Sequence, residues 1–131
     1  MPANEKRYRR LALLHEKLKR LEQGRLARLE TRARDLSDDE KKLIEYFNSD
    51  SFSQIFPDLV MGRIRSNRAD QAETASAIEQ QAAATQAQAR RLRQAELMLD
   101  KSVERREREA AEASLREILE RVAQTPKVSA R

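Results

Sequence analysis

The chain has 131 residues with a formal net charge of +5, and charged residues make up 37% of it. Hydrophobic residues make up 39% and aromatic residues only 4%, which excludes a thick globular core but allows a thin apolar seam between helices. With only 2 glycines, 3 prolines and no cysteine, the composition favours long helices and excludes disulfides and thiolate metal sites.

The first predicted element is a helical arm at about residues 4–47. Apolar side chains recur in it at intervals of three to five positions, which predicts an amphipathic helix with one apolar stripe: Leu11, Leu14, Leu18, Leu21, Leu26, Leu29, Ala33 and Leu36. A five-residue step in this series passes Gly24, which indicates the period of about 3.6 residues of an ordinary helix rather than the shorter period of a supercoil. Ser37 and Glu40 have the spacing of a capping box, so we expect the helix to bend or restart there.

The second element is a short helical or loop tip at about residues 48–57, where the residues NSDS supply turn formers. Phe52, Ile55 and Phe56 bring large apolar side chains to this segment, and Pro57 suits the first turn of the next helix. Two interpretations stay open. The apolar side chains pack on one another and close the end of the hairpin, or their surplus forms a docking patch for a partner.

The third element is a second arm at about residues 58–125, followed by a tail at 126–131. Mostly small residues follow a spacing of three and four in it: Ala75, Ile78, Ala82, Thr85, Ala89, Leu92, Glu96, Leu99 and Val103. Leucines facing small residues let two antiparallel helices approach closely, with Leu29 near Ala75. The pattern therefore predicts an all-α fold, in which two long helices form an antiparallel coiled-coil hairpin in a single domain, residues 1–131. An assembly paired between chains through the same contacts is the alternative.

The second arm is longer than the first, so its C-terminal part should run past the N-terminus by several turns. A new apolar stripe follows there among charged residues: Leu115, Ile118, Leu119 and Val122. A lone helix with such a stripe is only marginally stable in water, so this segment needs a partner. It folds back on the hairpin or forms a homo-oligomer, or it inserts into another protein.

Positive charge is concentrated in the first arm and in an arginine cluster at residues 90–93, and we single out Arg7, Arg10, Lys17 and Arg20 as candidates for binding a partner. Neighbouring glutamates at helical spacing favour a solvated face with ion pairs, while an acidic protein surface is the economical partner for the excess charge. Nucleic acid is less favoured, because leucines interleave with the basic residues and aromatic stacking platforms are lacking.

Nothing in the sequence indicates catalysis. The single histidine, His15, has no second imidazole or thiolate with which to bind a metal, and phosphate-binding or nucleophile motifs are absent. We expect a protein that is not an enzyme, with no metal, cofactor or small-molecule substrate. No apolar run follows the N-terminus and none reaches the roughly 18 residues of a membrane span, so we expect a cytoplasmic location, with membrane contact only through partners.

Three features of the sequence stand together: the basic stretch YRRLALLHEKLKRLEQGRLARL, the polar and aromatic turn after LIEYF, and the longer returning helix rich in Ala, Gln and Arg. In these features the chain resembles the FliJ and YscO family, small coiled-coil proteins of bacterial flagellar and type III secretion export. The resemblance implies a stalk-like protein that engages the hexameric export ATPase and links it to the export gate or to export chaperones. A self-associating scaffold or adaptor is the alternative, and a basic nucleic-acid binder is a third.

Overall fold

The structure is a computed structural model that describes residues 2–49 and 54–125. Two long helices account for nearly all of this part of the chain: α1 spans Ala3–Ser49 and α2 spans Pro57–Gln124. No strand occurs in the two described ranges. The all-α fold with two long helices is therefore confirmed, while Phe52 and the tail at 126–131 lie outside the described residues.

The first turn of each helix contains residues that suit a helix N-terminus. Pro57 occupies the first position of α2, where its missing N–H would have no helical partner in any case. The Val60 N–H then donates to the Phe56 carbonyl at 3.3 Å, which closes the first turn. Asp58 in this turn and Glu5 in the first turn of α1 each place a carboxylate at the positive end of a helix dipole. Pro57 thus has the role that the sequence predicts.

The predicted restart at Ser37 is wrong, because α1 is one unbroken helix through this point. Backbone N–H groups in the middle of a helix already have partners, so Ser37 and Glu40 have no free group to cap. The Glu40 carboxylate instead accepts hydrogen bonds from α2, from Arg68 at 2.7 Å and from Gln71 at 2.8 Å. The charged partner on the other helix replaces the local cap.

The two helices contribute to two compact units. Unit 1 combines Met1–His15 with Arg91–Arg131, and unit 2 is Glu16–Arg90. In both units a segment of α1 lies against a segment of α2, with few fully buried side chains. The prediction of a single domain for residues 1–131 stays a prediction.

In unit 2, one series of buried and half-buried side chains on each helix follows alternating steps of three and four residues, as in a coiled coil. On α1 these are Lys19, Glu22, Leu26, Leu29, Ala33, Leu36, Glu40 and Leu43. On α2 they are Val60, Ile64, Asn67, Gln71, Thr74, Ile78, Gln81, Thr85 and Gln88. We call these two sets the unit 2 seam. The heptad spacing runs past Gly24 without a skip, so the predicted period of an ordinary helix is wrong.

The unit 2 seam also differs from the predicted one in its membership. Thr74 is buried at 4% exposure while its neighbour Ala75 is exposed, and Leu21 on α1 is exposed as well. The reason is that the true spacing continues through polar residues, which an apolar pattern passes over. Glu22 contacts Gln81 and the Leu36 carbonyl contacts Asn67, so Leu29 lies close to the level of α2 that the sequence predicts for it.

Unit 1 is held at its end by one charged contact. Glu5 is fully buried, and its Oε2 lies 2.8 Å from Nε of Arg106 on α2. Its Oε1 lies 3.8 Å from Arg9, one turn further along α1. Neither carboxylate oxygen accepts an aligned hydrogen bond, so charge rather than hydrogen-bond geometry compensates the burial. Ala95 is the buried apolar residue of α2 in this unit.

The C-terminal part of α2 is exposed. Beyond Arg106, every residue from Glu107 through Thr125 is exposed, although the helix continues to Gln124. We call residues 107–125 the overhang. The sequence predicts such a segment, and the exposure of all these residues confirms that no described part of the unit covers it.

Candidate protein-binding surfaces

The overhang carries the clearest apolar surface of the molecule. Its four large side chains are exposed to between 56% and 67%: Leu115, Ile118, Leu119 and Val122. They lie three, one and three positions apart, which places them on one side of the helix. Charges of both signs surround them, including Glu112 and Arg116, which approach each other to 3.9 Å. The four predicted residues therefore form one continuous stripe on an unpaired helix.

Apolar side chains are also exposed where α2 begins in unit 2. Ile55 is 69% exposed, and Phe56 and Leu59 are each 50% exposed, whereas Val60 is buried. A shallow groove beside them is lined by Leu43, Tyr46, Leu59, Val60 and Arg63. Part of this cluster thus packs inward while Ile55, Phe56 and Leu59 keep large accessible surfaces. Phe52, the remaining candidate at the tip, lies outside the described residues.

The basic candidates on α1 are all exposed, but they differ in their partners. Arg7, Arg10 and Lys17 form no ion pair with any residue in the described ranges. Arg20, in contrast, donates to Glu16 at 2.7 Å across one helical turn. An exposed pair of this kind contributes about 0.5 kcal/mol at most, so Arg20 can exchange Glu16 for another carboxylate at little cost.

Polar side chains hold the two helices of unit 2 together at three levels. Asn67 donates from Nδ2 to the Leu36 carbonyl at 3.1 Å, and Gln81 donates from Nε2 to the carbonyl of Glu22 at 3.1 Å. Gln81 also contacts the Glu22 carboxylate. At the third level, the Glu40 carboxylate binds α2 through its two hydrogen bonds. These contacts fix which turn of α1 faces which turn of α2.

The contacts between Glu40 and α2 change the pKa of this carboxyl group. The hydrogen bond from Arg68 and then that from Gln71 lower the pKa of Glu40 below its ordinary value of 4.5, against the opposing effect of desolvation. Both donors favour the charged carboxylate, because a protonated acid accepts such bonds more weakly. Glu40 is therefore ionised in the folded protein over the whole neutral range.

Sequence reasoning missed these seam residues. Asn67, Gln71 and Gln81 are polar, so a search for apolar periodicity assigns them to the surface. The available signal was the spacing itself, because steps of three and four from Val60 and Ile64 lead directly to Asn67 and Gln71. Extending the heptad from the most apolar end, regardless of residue type, identifies the seam.

The described residues show no arrangement that would hold a metal. No group of three or more His, Asp or Glu side chains comes together within the described ranges. His15 is half-buried in unit 1. In the same part of the chain, neither helix is apolar enough over a sufficient length to cross a membrane.

The fold and these surfaces define an all-α protein of two long helices with apolar and basic side chains exposed along them. Comparison with protein families, curated proteins and solved structures finds no match to the chain.

Proposed function

We propose that this protein is a non-enzymatic, stalk-like coiled-coil component of a bacterial flagellar or type III export apparatus. In this role it binds and regulates the hexameric export ATPase in the cytoplasm and couples it to the export gate or to export chaperones. The specific apparatus rests on the resemblance of the sequence to the FliJ and YscO proteins. The general role, binding to other proteins, rests on the exposed apolar and basic surfaces.

The observation that carries the proposal is the overhang. About 20 residues of helix at about 1.5 Å per residue extend some 30 Å beyond Arg106, the last residue of α2 that forms an ion pair with α1 among the described residues of unit 1. A helix of this length with an exposed apolar stripe is only marginally stable alone in water. Insertion into a cavity of a partner protein buries the stripe and stabilises the helix at the same time.

A stalk of this kind regulates an ATPase by differential contact. An asymmetric helix pair inside a ring touches the subunits unequally, and a ligand that binds one state of a subunit better shifts the ring towards that state. No catalytic group on the stalk is needed for this. The exposed cations Arg7 and Arg10 lie on the part of α1 that shares unit 1 with the overhang, and Lys17 follows them directly along α1. All three favour contact with an acidic surface.

The competing function is a self-associating scaffold, and the overhang supports it through a different property. Both arginines and glutamates flank Leu115 and Ile118, so two copies of this segment present both signs of charge to each other. Light scattering over a concentration series distinguishes the two functions. A scaffold gives a mass that rises with concentration, and Leu115→Asp with Ile118→Asp abolishes the rise.

The direct test is ATPase stimulation with the purified export ATPase from the same genome. We expect the full chain to stimulate hydrolysis. The Leu115→Asp, Ile118→Asp variant should need an at least about tenfold higher concentration for half stimulation. The matched control is Leu13→Asp with Leu97→Asp, which introduces the same charges at exposed hydrophobic positions outside the overhang. Absence of stimulation by the wild-type chain contradicts the proposal.

A further inference from the structure

A second surface of unit 2 is chemically distinct from the apolar ones. A shallow groove is lined by Arg25, Arg28, Leu29, Arg32 and Gln81, and we call it the arginine groove. The three arginines follow steps of three and four residues along α1, so they form a row on one side of the helix. Leu29 lies behind the row in the unit 2 seam, and Gln81 of α2 forms the opposite wall.

The arginines of this groove are only partly paired with carboxylates in unit 2. Arg25 donates to Glu22 at 3.1 Å, and the same Glu22 side chain also accepts from Gln81. Arg28 and Arg32 have neither an ion pair nor a hydrogen bond with the described residues. The one residue of α2 that lines the groove, Gln81, is uncharged. Two guanidinium groups of the groove therefore have no carboxylate partner among the described residues.

We propose that the arginine groove binds an acidic amphipathic helix of a partner protein. A helix with carboxylates at alternating steps of three and four residues matches the row of arginines, and each guanidinium can bind a carboxylate through two hydrogen bonds. The rest of the lining also suits a helix, because Leu29 supplies apolar surface and the Gln81 amide is uncharged. Charge complementarity and the lining thus select the same occupant.

The surroundings of the groove favour a protein helix over nucleic acid. Glu22 and Glu30 lie on α1 within one or two turns of Arg28, and their carboxylates repel a continuous phosphate backbone. A discrete helix avoids this repulsion, because it can place neutral or basic residues opposite the two glutamates. No aromatic side chain lines the groove, so it has no platform on which a base can stack.

The inference goes beyond the proposed function, because it assigns a binding site whose partner need not be an ATPase. The probe is a fluorescein-labelled peptide of about 20 residues, with glutamates at alternating steps of three and four and mainly alanines between them. Fluorescence anisotropy measures its binding to the full chain at low ionic strength. A peptide of identical composition, with the glutamates distributed around the helix, tests the spacing.

The decisive variant is Arg28→Glu with Arg32→Glu, and its matched control is Arg7→Glu with Arg10→Glu, which changes the net charge equally on the same helix. All four arginines are exposed, so circular dichroism should show unchanged helicity in both variants. We expect the groove variant to weaken peptide binding by at least about tenfold and the control by less than about threefold. Arg28→Lys with Arg32→Lys should fall between them, because lysine keeps the charge but loses the paired hydrogen bonds.

Three results overturn the inference: equal losses in the two charge-reversal variants, equal binding of the redistributed peptide, or tighter binding of a single-stranded oligonucleotide of equal charge. The last result would assign the groove to phosphate. The test is separate from that of the proposed function. If the chain binds the peptide but does not stimulate the ATPase, the export role is rejected and the groove assignment stands. If the chain stimulates the ATPase but does not bind the peptide, the groove assignment is rejected and the export role stands.

Discussion

The strongest test of the helix pair is the removal of a single apolar side chain from the unit 2 seam. Ile64 is 6% exposed, and Ile64→Ala deletes three carbon atoms from a site that water barely reaches. At about 0.8 kcal/mol per buried methylene, the lost burial amounts to about 2.4 kcal/mol. The higher helix propensity of alanine returns a few tenths of this, so we expect a net loss of about 2 kcal/mol in the free energy of unfolding.

The matched control is Ile55→Ala, because Ile55 is the same residue type at 69% exposure. Its effect should lie within about 0.5 kcal/mol of zero. Urea unfolding followed by circular dichroism at 222 nm measures both variants, and the slope of the transition must stay constant for the comparison to hold. Ile64→Val extends the series with an expected loss of about 1 kcal/mol. Equal losses for Ile64→Ala and Ile55→Ala would refute the assignment of the seam.

Three further predictions use the same fold. Gly62 lies in α2, and no atom lies within 4 Å of the position that an added methyl group would take. Gly62→Ala should therefore raise the free energy of unfolding by about 0.5–1 kcal/mol in the urea assay. A decrease would show that the site is crowded in solution. Because the pKa of Glu40 is lowered in the folded state, its stabilising effect should be complete above the ordinary value of 4.5 and disappear as the pH falls through the lower folded pKa. Urea midpoints from pH 7 to pH 3 should therefore fall less steeply in Glu40→Gln than in the wild type, and identical slopes would contradict the hydrogen bonds from Arg68. In the isolated protein, backbone amides of the overhang should exchange with deuterium faster than those around Ile64, since no other element packs on the overhang in its unit; equal protection at concentrations where the chain is monomeric would show that the overhang is covered by its own chain.

The helices themselves could be predicted from the sequence almost to the residue. The expected arms at about 4–47 and 58–125 compare with Ala3–Ser49 and Pro57–Gln124. The scarcity of glycine and proline made this reliable, because few other residues end a helix. The restart at Ser37 was wrongly predicted, since a capping box is a local signal and the partners of Glu40 lie on the other helix.

The inward-facing side of each helix was harder to predict. Residue type indicated Leu21 and Ala75, but the structure exposes both and places Glu22 and Thr74 in the unit 2 seam. Two paired helices bury only a narrow stripe of side chains on each helix. A shift of that stripe by one residue therefore moves a side chain from the seam to its edge. Long polar side chains tolerate this position, because their methylenes pack in the seam while their polar ends reach a partner at its edge. Apolar periodicity alone does not detect them.

The arginine groove depended on the same unpredicted rotation. The sequence shows that Arg28 and Arg32 are basic, but not that they share a groove with Leu29 and with Gln81 of the other helix. The sequence gives Arg28 no carboxylate three or four positions away on α1, whereas Arg32 has Asp35 at three positions, and only the structure shows that this pair does not form an ion pair. Glu22 and Glu40, the two seam carboxylates of α1 in unit 2, are already bound by other donors.

The polar seam explains how a protein with so little apolar burial can keep a defined pairing of its helices. A hydrogen bond contributes about 1 kcal/mol net, but a buried amide or carboxylate left without its partner costs about 1–3 kcal/mol. A shift of one heptad along the seam would still bring aliphatic side chains of the two helices together, yet it would separate Asn67 from the Leu36 carbonyl and Gln81 from Glu22. The hydrogen bonds therefore penalise wrong registers more than they stabilise the correct one. The arginine groove is lined by residues of both helices, so the distance between its two sides depends on the register. The penalty on wrong registers therefore also fixes the geometry of this groove.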